Sequence, residues 1–259
     1  MQLTAFGKTD QGRERQYNQD RILCLDDIGA FVVADGMGGA KGGEIASTTA
    51  CQVIDFCLHQ ARKEAGWIWP PFWSRETYDE ALSLEANIIN YSIDQAHYQI
   101  QHYAQNNEGY ENMGTTVVMA LFHGDCCYMA HVGDSRAYVL RDGQLNCLTW
   151  DHTWVHAKIW SGEITEQEAR EHPMRNLLWQ SLGGQSIQVE HGHQQLLPGD
   201  IFLLCSDGVT EMLTDKEVRN LIIGSGRNPD KASSMLVDAA NAKGGRDNIA
   251  ALIVRVDAL

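Results

Sequence analysis

The 259-residue chain has no apolar run long enough to cross a bilayer as a helix, so no membrane span is expected. Positive charge is scarce. Twenty Lys and Arg stand against 34 Asp and Glu, a net charge of −14, and this argues against non-specific nucleic-acid binding, which needs a basic face. No CxxC pair occurs, so a cysteine zinc site is not expected. His152 and His156 stand four apart, but no Glu follows the first, and the metalloprotease motif is incomplete. The seven cysteines are odd in number and show no paired spacing. Cys126 and Cys127 are adjacent, and Cys24, Cys51, Cys57, Cys147 and Cys205 lie in or beside apolar runs, which reads as reduced, buried thiols of a cytoplasmic protein. The opening MQLTAFGKTDQGRE lacks the charged-then-apolar layout of a signal peptide. Neither a Cys-x5-Arg loop nor GxSxG is found, so no covalent intermediate on Cys or Ser is expected. Repeats, low-complexity tracts and linkers are also missing, and residues 1–259 read as a single domain with a full core.

What is there centres on residues 30–43, AFVVADGMGGAKGG. An apolar run, read as a buried strand, breaks off at Asp35, and a glycine-rich loop follows before Glu44 opens a helical pattern. A carboxylate beside the bare Gly36 carbonyl suits a hard cation such as Mg²⁺ or Mn²⁺, which prefer oxygen ligands. The bland alternative is an ordinary strand-to-helix turn.

The pattern along the chain predicts strands at 2–8, 21–25, 31–34, 115–122, 126–132, 136–140, 144–148, 187–196, 201–205 and 248–256. It predicts long helices at 43–63 and 78–105, shorter ones at 155–161 and 165–171, one from Thr214 through Leu221, and one at 229–242. Four successive strands from 115 to 148 argue one antiparallel sheet, and the blocks of strands and helices argue α+β. WIWPPFW at 67–73 cannot be helical and is expected to fold its rings onto the two long helices; the alternative is an exposed anchor for a partner.

Three further acids repeat the design at Asp35. Asp134, Asp207 and Asp247 each stand where a buried strand meets a loop, beside glycine or a small residue. Converging carboxylates repel one another unless cations hold them, and an oxygen-only set favours Mg²⁺ or Mn²⁺ over Zn²⁺. Two such ions can sharpen a water for displacement at phosphorus. A phosphoryl group then needs a forked cation, and Arg15 is the best placed, with Arg13 as a substitute. Asp20 is read as orienting a metal-bound water or Arg15, or else as a turn cap.

In order stand Arg15-x-x-Asn18-Gln19-Asp20, Asp35-Gly36-Met37-Gly38-Gly39, Gly114-Thr115-Thr116, Val132-Gly133-Asp134-Ser135-Arg136, Asp151-His152-Thr153, His172-Pro173-x-Arg175-Asn176, Ser206-Asp207-Gly208 and Asp247-Asn248. This series resembles the metal-dependent Ser/Thr protein phosphatases of type 2C, the PPM family, in its bacterial form, over residues 3–256. The resemblance implies a four-layer α-β-β-α sandwich of two antiparallel sheets flanked by helices. It implies two core Mn²⁺ or Mg²⁺ ions, bridged by Asp35, with the Gly36 carbonyl on one and Asp207 and Asp247 on the other. Asp134 with Asp207 would hold a third, weaker ion, and Asn176 falls where some members add a flap contact to it. Arg15 would bind phosphate, residues 151–184 would form the flap, and 64–78 would be an aromatic insertion.

The implied function is signalling: a hydroxide between the two ions attacks phosphoserine or phosphothreonine, with no phosphoenzyme. Phosphoproteins would be the substrates, a Ser/Thr kinase of the same pathway among them, and a monomer without nucleic-acid or membrane partners is expected. Two positions depart from the family pattern. Gln19 replaces a common Glu, and Met37 replaces the His proposed as general acid in animal members, so the leaving oxygen would take its proton elsewhere. A docking module that has lost turnover and a small-molecule phosphatase remain alternatives. None of His152, His156, His172, His191 or His193 is read as a metal ligand; His152 and His172 are read as hydrogen-bonding residues.

Overall fold

Strand and helix propensity place the elements, and alternation along the strands decides how they stack. The computed structural model describes residues 1–64 and 66–259; Ala65, in the stretch expected to be an aromatic insertion, lies outside the described residues. In chain order they are β1 (Gln2–Asp10), β2 (Asp20–Leu25), β3 (Ala30–Met37), α1 (Gly39–Ala61), β4 (Arg62–Lys63), β5 (Gly66–Trp67) and α2 (Leu84–Asn106). Then come β6 (Gly114–Thr115), β7 (Val117–His123), β8 (Cys126–Val132), β9 (Arg136–Arg141), β10 (Gln144–Cys147), α3 (Trp154–Trp160) and α4 (Glu166–Glu171). The chain ends with β11 (Glu190–Gln195), β12 (Ile201–Cys205), α5 (Asp207–Thr210), α6 (Asp215–Gly224), α7 (Pro229–Ala242) and β13 (Ile249–Ala258).

One sheet runs β1-β13-β12-β9-β10, the other β11-β8-β7-β3-β2 with β6 paired to β3, and their pairings are antiparallel. In β3, Phe31 and Val33 point between the sheets and meet Phe122, Phe202 and Leu252, while Ala30 and Val32 point out beneath α1 and α2. On the far side, Leu203, Ala251 and Ile253 lie under Val218, Ile222, Leu236 and Val237 of α6 and α7. Three apolar layers thus separate four layers of structure, α-β-β-α as expected. Strands covered on both faces read as unbroken apolar runs, which is why 31–34 and 201–205 stood out. No helix among the described residues is long and apolar enough to cross a membrane.

Several expected boundaries move. The strands at 115–148 are not one sheet: β7 and β8 belong to one and β9 and β10 to the other, so the chain crosses the sandwich at Gly133–Ser135. The 78–105 helix starts only at Leu84, where the Ser83 side chain accepts the Ala86 N–H and sets the N-terminus. The preceding Tyr78 joins the aromatic segment instead. Trp69 packs edge-on to Trp73, Tyr78 and Tyr91, Trp73 stacks on Tyr91 at 3.9 Å, and Trp67 and Trp73 are buried against α1 and α2. That segment is a loop folded onto the long helices, with Phe72 mainly outside and Ile68 and Pro71 partly so. Cys24 and Cys147, on the edge strands β2 and β10, are exposed rather than buried, and Cys126 is half-buried; all seven thiols are free.

Candidate active site

Asp35 is not at a strand end. β3 continues through Gly36 and Met37, which pair with Thr115 and Gly114 of β6 after the apolar residues run out. Thr116 N–H and the Thr115 hydroxyl both donate to the Asp35 carbonyl at 2.8 Å, so the Gly114-Thr115-Thr116 motif fixes this backbone. Nor is 38–43 all loop. α1 begins at Gly39, and Gly43 lies so close to the strand that a Cβ there would stand 2.6 Å from the Gly36 carbonyl oxygen. Only glycine permits that approach.

The other acids arrive from separate elements. Asp20, the first residue of β2, sits opposite Asp35 and is fully buried; it is no turn cap. Asp134 lies at the crossover from β8 to β9, after Gly133 with φ 109°. Asp207 opens α5 rather than a loop, and the preceding Ser206 hydroxyl donates to Asp20 Oδ2 at 2.7 Å while accepting the Ala250 N–H. Asp247 precedes β13. Its neighbour Asn248 donates to the carbonyls of Gln11 and Tyr17, each at 2.8 Å, and accepts the Gln19 N–H, so one amide pins the loop that carries Arg15.

These elements enclose an open cavity of about 410 Å³ lined by Arg15, Tyr17, Gln19, Asp35, Gly36, Met37, Asp134, Asn176, Leu178, Asp207 and Asp247. Asp20 lies behind it. The Arg15 guanidinium hydrogen-bonds Asp247, and Asn176 Nδ2 donates to Glu211 at 2.7 Å rather than to a site aspartate.

Burial and mutual charge dominate the chemistry. Burial first, then the charges of Asp20, Asp207, Asp134 and Asp247, hold the Asp35 carboxyl well above the usual range. Asp207 is raised likewise by burial, then by Asp134, Asp247 and Glu211. Burial pushes Asp20 up to about 7 against the Ser206 hydrogen bond, and Asp134 up to about 7 with help from Asp151. Among the described residues, Asp20 Oδ1 and Asp207 Oδ1 are buried without any hydrogen-bond partner. Unpartnered carboxylate oxygens in a cluster of acids, with no thiol or imidazole lining the cavity, fit hard divalent cations.

The sign of the pH effect follows. These acids bind protons in the folded chain that the unfolded chain, at an ordinary value of 3.8, has released. Metal-free stability is therefore fully present below about pH 4 and expected to fall as pH rises through about 7. Melting temperatures in EDTA from pH 4.5 to 8 check it; a flat or rising profile overturns it.

Sequence reasoning passed over Glu211, His131 and Glu190, while His152, expected as a hydrogen-bonding residue, is one. Glu211 stands one turn beyond Asp207, its charge reaches both Asp134 and Asp207, and it lies 4.0 Å from Arg175 Nε as well as accepting from Asn176. The four-residue spacing from Asp207 was the signal. His131, His152 and Glu190 offer ligand atoms within 4.8 Å of one another. The imidazoles, however, stack at 4.5 Å and 18°, so one ion could not lie in both ring planes. Their Nε2 atoms face acceptors, the Trp150 carbonyl at 2.7 Å and Glu190 at 3.1 Å. This is a hydrogen-bonded strut. His172 is also a hydrogen-bonding residue, its Nδ1 accepting the Met174 N–H.

Residues 9–240 match the family model described as protein phosphatase 2C. The chain belongs to the protein phosphatase 2C family. It is, with that family, a serine/threonine protein phosphatase. The serine/threonine phosphatase stp of Listeria welshimeri is 34% identical over 251 residues, 95% of this chain and 93% of that one. Among solved structures, the Mycobacterium tuberculosis serine/threonine phosphatase PstP/Ppp superposes with a TM-score of 0.85 at 26% identity, covering 99% of both chains. The catalytic domain of PstP in complex with two manganese ions gives 0.81 at 25% identity, again over 99% of both. The 2C-type fold places its acids on five different elements or crossovers, which no local motif could bring together.

Proposed function

We propose that the acidic cavity is the catalytic centre of a phosphoserine/phosphothreonine phosphatase that works with Mn²⁺ or Mg²⁺. The observation that carries this reading is the gathering of Asp35, Asp134, Asp207 and Asp247 around one cavity, with the buried Oδ1 of Asp207, and that of Asp20 behind the cavity, left unpartnered among the described residues. Asp35, the Gly36 carbonyl, Asp207 and Asp247 would hold the two core ions. Asp134 and Asp207 would hold a third, with Glu211 and Asn176 beside it. Ions bound there lower the pKa of water and offset charge on a phosphoryl group.

The chain's own residues do the rest. Arg15 spends one nitrogen on Asp247, which leaves further donors of its fork for phosphate oxygens. Asp20, behind Asp35, accepts from Ser206 with one oxygen and keeps the other for a water. Met37 lines the cavity but has no proton to give, so the leaving hydroxyl takes its proton from solvent. We take residues 1–259 as one domain, 151–184 as its flap and 64–78 as a structural insertion. The two-manganese complex of PstP supports the metal, and the free thiols fit a reducing cytoplasm. A monomer acting on phosphoproteins, including a kinase of its own pathway, completes the reading.

The test is hydrolysis of a phosphothreonine peptide with Mn²⁺, compared with a sugar phosphate. Turnover of the peptide that EDTA abolishes is expected; metal-independent turnover, preference for the sugar phosphate, or no turnover refutes it. Arg15→Lys keeps the charge but loses the fork, and a rise in KM of about tenfold is expected with Mn²⁺ affinity unchanged.

A further inference from the structure

Both ends of the flap meet at one buried side chain. His152 is 4% exposed. Its backbone N–H donates to the Gly133 carbonyl at 3.0 Å, and its Nδ1 accepts the Gly133 N–H at 3.0 Å, so one residue satisfies both backbone groups of Gly133. Gly133 immediately precedes Asp134. It has little freedom, since a Cβ would stand 2.6 Å from the Thr116 side chain.

The other end of the flap returns to the same residue. Trp179 N–H donates to the His152 carbonyl at 3.0 Å, and Gln180 Nε2 lies 2.7 Å from His152 Nδ1. Two donors aimed at Nδ1 leave the ring hydrogen on Nε2, where it is donated to Glu190 at 3.1 Å. The ring is packed between His131, at 4.5 Å, and Trp179, at 4.8 Å. Next door, Asp151 takes Arg136 in a two-point bond, 2.7 Å on each oxygen, two residues beyond Asp134. The Asp151-His152 pair therefore grips the Asp134 turn on both sides.

We propose that His152 is a positioning residue that couples the flap to Asp134: the neutral imidazole holds the Gly133–Asp134 turn, and both legs of the flap hang from it. The claim rests on the reading of Asp134 as a ligand of the weakest ion. Substituents on the far side of a ligand shape its affinity for metal, typically by about 10–100-fold. An asparagine places its Oδ1 at the same bond count from Cα as Nδ1, and can accept from Gly133. A glutamine reaches only to the Nε2 position, and can meet Glu190 but not Gly133.

The experiment compares His152→Leu, His152→Asn and His152→Gln with the wild-type chain. Mn²⁺ titration followed by electron paramagnetic resonance separates weak from tight ions. Amide hydrogen exchange at Gly133 and Trp179 is measured in EDTA. In the leucine and glutamine variants the weakest ion is expected to bind about tenfold less tightly, with the tight ions unchanged. Exchange at Gly133 is expected to quicken about fivefold, the worth of one hydrogen bond. The asparagine variant is expected to return both readings to within about threefold of wild type. Equal behaviour of the asparagine and glutamine variants, or a weak ion indifferent to all three changes, overturns the proposal. Should the leucine variant not fold, the asparagine–glutamine contrast carries the test alone. A wild-type chain that binds no weak ion would remove the ligand role of Asp134, and exchange in EDTA would still decide whether His152 holds the turn.

Discussion

Asparagine in place of Asp207 is expected to abolish metal-dependent turnover and, in the same protein, to raise the stability of the metal-free chain. The two effects share one cause. Asp207 is half-buried, its Oδ1 is shut off from solvent with no partner among the described residues, and its charge opposes those of Asp134, Asp247, Glu211 and Asp20. Without ions that arrangement costs stability; with ions it is the binding site. An amide of the same shape removes the repulsion and most of the affinity for a hard cation. Several kcal/mol of charge stabilisation at phosphorus are then lost, which corresponds to a fall of about 10³-fold or more in kcat/KM. In EDTA at pH 8 the variant is expected to melt higher, by about 2–4 °C for each kcal/mol of repulsion removed. Its decline in stability between pH 4 and 7 is expected to be shallower than wild type. Saturating Mn²⁺ should reverse the ranking, since only wild type gains from the ligand. Calorimetry of both proteins in EDTA and in Mn²⁺ checks all of this. A variant less stable than wild type in EDTA would mean that the carboxylates do not oppose one another.

Much of this site could be read before the structure, for a definable reason. Asp35 and Asp207 each follow a fully buried apolar run, and such runs are visible because both faces of their strands are covered. Gathering them needed the resemblance to 2C-type phosphatases, since Asp20, Asp35, Asp134, Asp207 and Asp247 meet through antiparallel pairing between distant strands. Where reading failed, apolar pattern and backbone pairing had parted company. β3 runs on through Asp35, Gly36 and Met37 because Gly114 and Thr115 offer ladder partners, although the unbroken apolar run stops at Ala34. β7, β8 and β9 read alike as near-continuous apolar runs whichever sheet they join, so the crossover at Asp134 left no trace in the pattern. His131 and Glu190 looked unremarkable because their role depends on β8 and β11 pairing side by side.

Gly43→Ala tests the other unusual piece of backbone, and here the ordinary expectation has the wrong sign. Alanine in place of a helical glycine normally stabilises by up to about 1 kcal/mol, by restricting the unfolded chain. Gly224, in α6, is such a case: a Cβ there would meet nothing nearer than Met235 Cε at 3.9 Å, and Gly224→Ala is expected to be neutral or mildly stabilising. At Gly43 the added carbon would stand 2.5 Å from the Gly36 carbonyl carbon and 2.6 Å from Met37 N. Both are backbone atoms of a central strand, so no rotamer change relieves the clash and α1 or β3 must move. Overpacking of this kind costs about 1–3 kcal/mol even where side chains can adjust, and the upper end or beyond is expected here. The displaced group is the carbonyl proposed to bind an ion, so Mn²⁺ affinity should fall with stability, and added metal should recover less of the melting temperature than in wild type. An alanine variant with normal stability and normal Mn²⁺ affinity would show that helix and strand are not in contact at Gly36. One that is destabilised but keeps its affinity would take the Gly36 carbonyl out of the proposed ligand set and leave the carboxylates in it.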